Sequence, residues 1–360
     1  MTSYSIHENV HEALSNYELP QKLGFGLSPG PVMYSAEYAD GIWGEGILEA
    51  NRPLQIQSSA KVLHYGQEIF EGMKAYRVDQ ERANLFRPER NWQRFNLSAK
   101  RMAMPEISQQ LFMEGVYLVT AYSEAMIPAE PGKSLYLRPF MFASEPSLEV
   151  TGANQFVYMV IASPSESIHA GTMKVLIERE YTRAAIGGTG AAKTGGNYAA
   201  SFASRQRAMA MGYHQSLWLD PVNQQNIEEL SVMNFFAVIN DELYTPALTG
   251  SLLEGITRDS IIQLAGSMGV RVHQQSLNID ELIRQIQSTD CSELFCCGTG
   301  AILSPIGALG EYNGTEYQVK YPDGKLSLAI REQMLGIQER RLADPYQWVQ
   351  MIPGEYYPHC

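Results

Sequence analysis

Residues 187–198 read Gly-Gly-Thr-Gly-Ala-Ala-Lys-Thr-Gly-Gly-Asn-Tyr and are the most informative stretch of the chain. The first eight of them nearly match the phosphate-binding loop, in which GxxxxG is followed by Lys and then Ser or Thr. The match fails because Ala192 replaces the second glycine, and because Gly195 and Gly196 disfavour the helix whose first turn binds phosphate. A nucleotide-binding protein with a phosphate-binding loop therefore remains only as an alternative.

The same stretch sets one lysine, Lys193, among small residues. Small neighbours let a planar ligand approach, and burial or nearby positive charge favours the deprotonated form of a lysine amine. A deprotonated amine can attack an aldehyde, so the pattern is typical of a lysine that binds an aldehyde cofactor covalently. A lysine exposed in a flexible surface loop is the alternative that this stretch alone leaves open.

The residues from Lys193 to Tyr198 closely resemble the cofactor-lysine segment of branched-chain aminotransferases, which are fold-type IV enzymes dependent on pyridoxal phosphate. Further blocks follow the family's order over roughly residues 20–345. They are Leu63-His64-Tyr65-Gly66, Phe70-Glu71-Gly72-Met73-Lys74-Ala75-Tyr76, Leu85-Phe86-Arg87-Pro88, Tyr136-Leu137-Arg138-Pro139, Glu229-Leu230-Ser231-Val232-Met233-Asn234, Gly255-Ile256-Thr257-Arg258 and Gly298-Thr299-Gly300. Chance does not assemble so many blocks in one order.

The resemblance implies an α+β chain with two domains, a smaller N-terminal α/β sandwich and a larger C-terminal pseudo-barrel. We place the N-terminal domain at residues 1–175, an interdomain loop at 176–190 and the C-terminal domain, with Lys193, at 191–360. The length of 360 residues agrees with two domains, because it is about two to two and a half times a typical domain length.

The resemblance also implies which residues bind the cofactor. They are Lys193 as covalent anchor and catalytic residue, Glu229 at the ring nitrogen, Tyr198 at the ring oxygen, and Arg94, Ile256, Thr257 and Thr299 at the phosphate. The residue types suit these tasks, since a protonated ring nitrogen needs a carboxylate, and a phosphate needs an arginine and the amides of a helix start.

A second implied set binds the substrate and consists of Phe25, Tyr65, Phe70, Tyr136, Arg138, Gly300 and Ala301. Its aromatic members form an apolar wall, and Tyr65 helps to hold the substrate carboxylate. An aromatic cluster that only fills the core is the alternative.

Two features, at three positions, differ from the animal enzymes of the family. Ala301 and Ser304 stand where those enzymes carry a Cys-x-x-Cys redox switch, so we expect no such switch here. Val232 stands where they place a threonine hydroxyl on the substrate carboxylate, so backbone amides near Gly300 or other side chains must replace that contact.

The implied reaction is reversible amino transfer between leucine, isoleucine or valine and 2-oxoglutarate, which gives branched 2-oxo acids and glutamate. A D-amino-acid aminotransferase or an aminodeoxychorismate lyase of the same fold remain alternatives. The blocks at Phe70-Glu71-Gly72 and Tyr136-Leu137-Arg138-Pro139, with the chain length, favour the branched-chain group. The resemblance further implies a homodimer.

Composition and charge narrow the other partners. With 39 acidic and 27 basic side chains the net charge is -12, and no basic patch offsets it, so we expect no nucleic-acid binding. The longest apolar stretch, residues 156–162, is far shorter than the roughly 20 residues of a membrane span. The absence of a secretory pattern at the start, the four sparse cysteines and the lack of histidine metal spacing predict a cytoplasmic enzyme without a metal.

Local patterns predict several elements. Pro88 and an apolar stripe that contains Phe95 predict a helix over residues 87–102, with Arg94 off that stripe. Residues 61–76 are expected to form strand, helix, strand, and residues 234–245 a hairpin that turns at Asn240 and Asp241. Residues 255–259 are expected to form a loop ahead of a helix at 260–268.

Overall fold

The computed structural model describes residues 4–77, 82–166 and 171–358, and His169 and Cys360 lie outside these ranges. The strands are β1 (Tyr4–Ile6), β2 (Val32–Ala39), β3 (Ile42–Trp43), β4 (Gly46–Ala50), β5 (Glu68–Phe70), β6 (Met73–Tyr76), β7 (Asn84–Phe86), β8 (Ser134–Ala143), β9 (Phe156–Ser165), β10 (Met173–Glu178), β11 (Gln215–Leu219), β12 (Ile227–Leu230), β13 (Asn234–Ile239), β14 (Glu242–Thr245), β15 (Val272–Gln274), β16 (Cys291–Gly298), β17 (Ile302–Gly310), β18 (Glu316–Gln318) and β19 (Val349–Met351). The helices are α1 (Asn9–Ser15), α2 (Lys61–Tyr65), α3 (Pro88–Arg101), α4 (Gln109–Tyr122), α5 (Gly195–Ala199), α6 (Phe202–Ala210), α7 (Ile256–Ser267), α8 (Ile279–Ser288) and α9 (Leu326–Gln338), with 3₁₀ turns at Glu124–Met126 and Gly354–Tyr356.

The chain divides into two compact units. The first comprises Met1–Ile168, Ala192–Gly195 and Gly336–Cys360, and the second comprises His169–Ala191 and Gly196–Leu335. This division differs from the expected boundaries, because the segment around Lys193 and the C-terminal residues belong to the first unit. The physical reason is main-chain hydrogen bonding, since the Lys193 carbonyl accepts from Phe70 of β5 and β19 pairs with β7.

The first unit is built on one sheet. Its strands follow the order β1-β4-β2-β9-β8-β6-β7-β19, with β3 on β2 and β5 on β8. Helix α4 contributes a nearly continuous run of buried residues, because it packs against β2, β9 and β8. The rings of Phe95 in α3, Phe112 in α4 and Tyr158 in β9 meet with centroids 5.3 to 5.8 Å apart and form the aromatic centre of this core.

The second unit contains a closed ring of strands. Strands β12, β11, β10, β17, β16 and β13 pair in that order, and β12 also pairs with β13. Closure removes the open edges of these six strands, and the interior is filled by side chains such as Phe235 and Leu294. The pseudo-barrel implied by the resemblance is therefore confirmed.

Several local predictions are confirmed and two are wrong. Helix α3 and the hairpin β13–β14 occur where expected, and Asn240 and Asp241 have φ of 49° and 62°, as a type I′ turn requires. Residues 61–76 form helix, strand, strand instead, because α2 comes first and ends at Gly66, whose φ is 60°. Helix α7 begins at Ile256, four residues before the expected start, because Gly255 adopts an extended N-cap conformation.

Candidate active site

One face of the strand pair β5–β8 carries a cluster of predicted substrate residues. Phe70 on β5 and Tyr136 and Arg138 on β8 share that face, because strand side chains alternate and Phe70 pairs with Phe140. Arg138 Nη2 donates to the Tyr136 hydroxyl at 2.9 Å, and its guanidinium lies 4.6 Å from the Phe70 ring centroid. The Phe25 ring is 4.6 Å from that of Tyr136. The cluster is half-buried and presents apolar rings beside a guanidinium.

Lys193 is fixed at this cluster through its main chain. Its amide donates to Ser98 Oγ at 2.9 Å, and its carbonyl accepts from the Phe70 amide at 3.0 Å. Its Nζ lies 4.9 Å from the centre of the Phe70 ring. The structure therefore places the predicted lysine beside Phe70 of the predicted aromatic wall, and the lysine is partly buried.

Arg94 is held by a carboxylate that the sequence analysis left without a role. Its Nε and Nη2 donate to the two oxygens of Glu71 at 2.7 and 2.8 Å, and Asn91 Nδ2 donates to Glu71 at 2.7 Å. Burial alone would raise the pKa of Glu71, but Arg94, with smaller effects from Lys193 and Asn91, lowers it below the ordinary value. Glu71 therefore stays charged and orients the Arg94 guanidinium.

We expect Glu71→Gln to lower the unfolding free energy by about 3–5 kcal/mol, because it breaks a buried ion pair with Arg94. The lowered pKa means that this stabilisation is present above the ordinary value of 4.5 and is lost as pH falls through the lower folded-state pKa. Urea unfolding from pH 8 to pH 3 tests both points. Glu130→Gln, which removes an exposed ion pair with Lys133, is the matched control and should change nothing; an equal loss in both variants would contradict the assignment.

In the second unit, Glu229 of β12 is a buried carboxylate with three donors. Arg183 Nη2 lies 2.8 Å from Oε1, Asn234 Nδ2 donates to Oε2 at 3.0 Å, and the Leu253 amide donates to Oε1 at 3.3 Å. These donors stabilise the charged form of the acid, which is the form that a protonated ring nitrogen needs. Neither Arg183 nor Asn234 was singled out from the sequence, because both contacts depend on tertiary packing.

Helix α7 offers an anion-binding start. Its N-cap, Gly255, provides no side-chain cap, so the first-turn amides, including those of Ile256 and Thr257, have no partner within the helix. A Cβ on Gly255 would collide with Asn234 Oδ1, the same side chain that bonds Glu229. The tight approach therefore couples the helix start to the buried acid.

We expect Gly255→Ala to weaken binding of pyridoxal phosphate by about tenfold or more, since Asn234 must move and loses a bond worth about 1.5–3 kcal/mol to the charged Glu229. Gly266→Ala is the control on the same helix, because a Cβ there meets nothing within 4 Å. It should bind normally and be slightly more stable. Equilibrium dialysis measures both affinities, and equal values in the two variants would refute the coupling.

The remaining predicted residues lie in three places. Tyr198 is half-buried on α5, and Thr299, Gly300 and Ala301 form the turn between β16 and β17. Tyr65 is 43% exposed, and its hydroxyl donates to the Leu148 carbonyl at 2.5 Å. The described contacts of Tyr65 are therefore with the loop around Leu148.

Each unit by itself holds residues that fit part of a phosphorylated pyridine aldehyde. In the first unit, Lys193 supplies an amine beside an aromatic ring and Arg94 supplies donors for a phosphate. In the second unit, the start of α7 supplies donors for an anion and Glu229 supplies a buried carboxylate with its own cation. The loop at residues 187–194 does not fit a phosphate-binding loop, because β10 ends at Glu178 and α5 has only five residues.

Metal-ligating clusters, membrane-spanning helices and disulfides are absent from the described ranges. Over residues 4–77, 82–166 and 171–358, no group of three or more His, Cys, Asp or Glu side chains could hold a metal ion. Within the same ranges, the helices are too short or too polar to cross a bilayer. Cys291, Cys296 and Cys297 are buried there without disulfides, and burial raises the pKa of each thiol.

Comparison with known proteins gives one consistent picture. The sequence model described as amino-transferase class IV matches residues 68–309. Branched-chain-amino-acid transaminase 1 of Bacillus subtilis (strain 168) is 39% identical over 334 residues, which cover 91% of this chain and 94% of that protein. The branched-chain-amino-acid aminotransferase of Mycolicibacterium smegmatis is 40% identical over 335 residues, 91% of each chain. The crystal structure of the Escherichia coli branched-chain amino acid aminotransferase has a TM-score of 0.73 at 27% identity, over 88% of this chain and 99% of that one.

Proposed function

Because the chain belongs to the class IV aminotransferases, which depend on pyridoxal phosphate, we propose that it transfers amino groups between branched-chain L-amino acids and 2-oxoglutarate. The products are branched 2-oxo acids and L-glutamate. The observation that carries the proposal is the Phe70 ring, whose centroid lies 4.9 Å from the Lys193 amine and 4.6 Å from the Arg138 guanidinium. Rings suit leucine, isoleucine or valine, while Arg138 and the Tyr136 hydroxyl suit a carboxylate.

The cofactor, when bound, supplies an electron sink that makes the substrate Cα proton acidic. We propose that Lys193 holds it covalently, that Arg94, Thr299 and the amides of Ile256 and Thr257 hold its phosphate, and that Glu229 and Tyr198 hold its ring. The substrate amine would release the Lys193 amine from that bond, and the freed Nζ would take up the Cα proton and give it back, as general base and general acid in turn. The Phe70 ring excludes water from this amine.

The substrate carboxylate needs other hydrogen-bond donors here, because position 232 carries no hydroxyl group. Val232 has no hydroxyl and is 41% exposed in the turn between β12 and β13. We propose that the Gly300 and Ala301 amides, with Tyr65, bind this carboxylate. Phe25, Phe70 and Tyr136 then contact the aliphatic side chain, and Arg138 donates to the second carboxylate of glutamate.

We further propose a cytoplasmic homodimer. The loop around Leu148 and helix α2 expose Leu63, Leu148 and Val150 by 59%, 61% and 83%, and contiguous exposed apolar surface marks protein contacts. Lys61 Nζ donates to Thr151 Oγ1 at 2.9 Å and holds this loop against α2. The fixed apolar surface supports a second copy of the chain as its partner.

Spectroscopy and coupled assays test the proposal. The purified protein should be yellow and should lose that colour on addition of L-glutamate or L-leucine. Coupled assays should show turnover of L-leucine with 2-oxoglutarate and none of D-alanine or aminodeoxychorismate. Turnover of only one of the latter two would assign the chain to the other activities of this fold, and a colourless protein that hydrolyses ATP would remove it from the class.

A further inference from the structure

Glu68 contacts the segment that carries Lys193 but has no role in the reaction described above. It precedes Phe70 by two positions on β5, so its side chain shares the face that holds Phe70 and Arg138. Its Oε1 accepts from the Gly195 amide, and the Thr194 hydroxyl donates to the same oxygen at 3.3 Å. These donors are the two residues that directly follow Lys193.

Gly195 packs tightly against the Glu68 carboxylate. A Cβ on Gly195 would collide with Glu68 Oε1, so a glycine is needed for the carboxylate to reach the amide. With the Ser98 bond to the Lys193 amide and the Phe70 bond to its carbonyl, residues 193–195 are held at three successive points. Two of these three points come from β5.

We propose that Glu68 is a positioning residue, which fixes the main chain after Lys193 and thereby aims the Lys193 amine. The proposal rests on the proposed function, because it assigns Lys193 as the reacting group. A misplacement of about 1 Å at a reacting group can cost about 100-fold in rate, so such a clamp has a large effect on turnover.

The charged Glu68 carboxylate does not stabilise the fold at neutral pH, so a stabilising role does not account for its position. Burial raises the pKa of Glu68, and the Gly195 amide, the Thr194 hydroxyl and Arg138 only partly offset that effect. A raised pKa means that folding favours the protonated form, so the stability contributed by this group falls as pH rises above 4.5 through the folded-state pKa. Glu68→Gln should therefore be at least as stable as the natural protein at pH 8, while a purely structural residue would lose stability.

The test compares Glu68→Ala and Glu68→Gln with Glu37→Gln, an exposed glutamate on β2. Amide hydrogen exchange of residues 192–199 is measured in the cofactor-free full-length chain, and kcat and KM are measured in the holoenzyme. In Glu68→Ala we expect about tenfold or faster exchange at Gly195, because the amide loses a charged acceptor. We expect kcat to fall by about 10- to 100-fold with KM for L-leucine within about threefold.

Glu68→Gln keeps an oxygen that can accept and should lie between the natural protein and Glu68→Ala in both measurements. Glu37→Gln should match the natural protein. Unchanged exchange at residues 192–199 in Glu68→Ala, or faster exchange with unchanged kcat, would overturn the proposal. If Glu68→Ala does not fold, the same criteria apply to Glu68→Gln. A natural protein without transaminase activity would instead refute the proposed function, and the exchange result would still decide whether Glu68 holds the segment.

Discussion

Replacement of Lys193 by alanine lowers kcat for L-leucine by at least about 10⁴-fold, because alanine offers neither the amine that binds the cofactor nor the base that moves the Cα proton. The fold should survive, since the contacts with Ser98 and Phe70 use main-chain atoms that alanine retains. Stopped-flow single-turnover measurements with L-leucine give the rate.

Two further variants sharpen this result. Lys193→Arg keeps the positive charge but cannot act as a base at neutral pH, so its loss should equal that of alanine. Lys133→Ala removes an amine whose described ion pair is an exposed one with Glu130, and it should keep full activity. A Lys193→Ala enzyme within tenfold of the natural rate would mean that another group moves the proton.

Replacement of Glu229 by glutamine is expected to have the second largest effect, with kcat lower by about 100- to 1,000-fold. The neutral amide no longer favours a protonated cofactor ring nitrogen, so the electron sink weakens. The change also removes the charged partner of the buried Arg183, which lowers the unfolding free energy by about 3–5 kcal/mol. Measuring kcat at 15 °C, with circular dichroism to verify folding, separates the loss of activity from the loss of stability.

The neighbouring Glu228 provides the control. It is equally buried, its Oε1 accepts from Ser251, and among the described residues its Oε2 has no hydrogen-bond partner. Burial raises the pKa of Glu228, so its charged form destabilises the fold at neutral pH. Glu228→Gln should therefore keep activity and gain stability. Equal losses in the two variants would show that Glu229 acts only through folding.

Much of the fold and part of the site follow from the sequence because their signals are local. Pro88 and the apolar spacing specify α3, and the Asn240-Asp241 pair specifies the hairpin β13–β14. Lys193 stands out because its neighbours are small. The closed barrel could not be predicted in this way. Its prediction depended on the family resemblance, because the pattern of a single strand does not indicate closure.

The supporting ion pairs could not be predicted because their members are far apart in sequence. Glu71 meets Arg94 23 positions away, and no spacing rule links a strand end to a helix across that distance. Arg183 lies in the loop after β10 and Glu229 lies on β12, so they meet only in the tertiary structure. The position of Glu68 could have been predicted, because side chains two residues apart on a strand point to the same face, and Glu68 is two residues from Phe70.

Amino transfer by this chain depends most directly on a covalent bond between the cofactor and the amine of Lys193. Treatment of the yellow protein with sodium borohydride, followed by tryptic digestion and mass spectrometry, should find a phosphopyridoxyl group on the peptide that contains Lys193 and on no other peptide. A protein that carries this group on another lysine, or on none, would contradict the account.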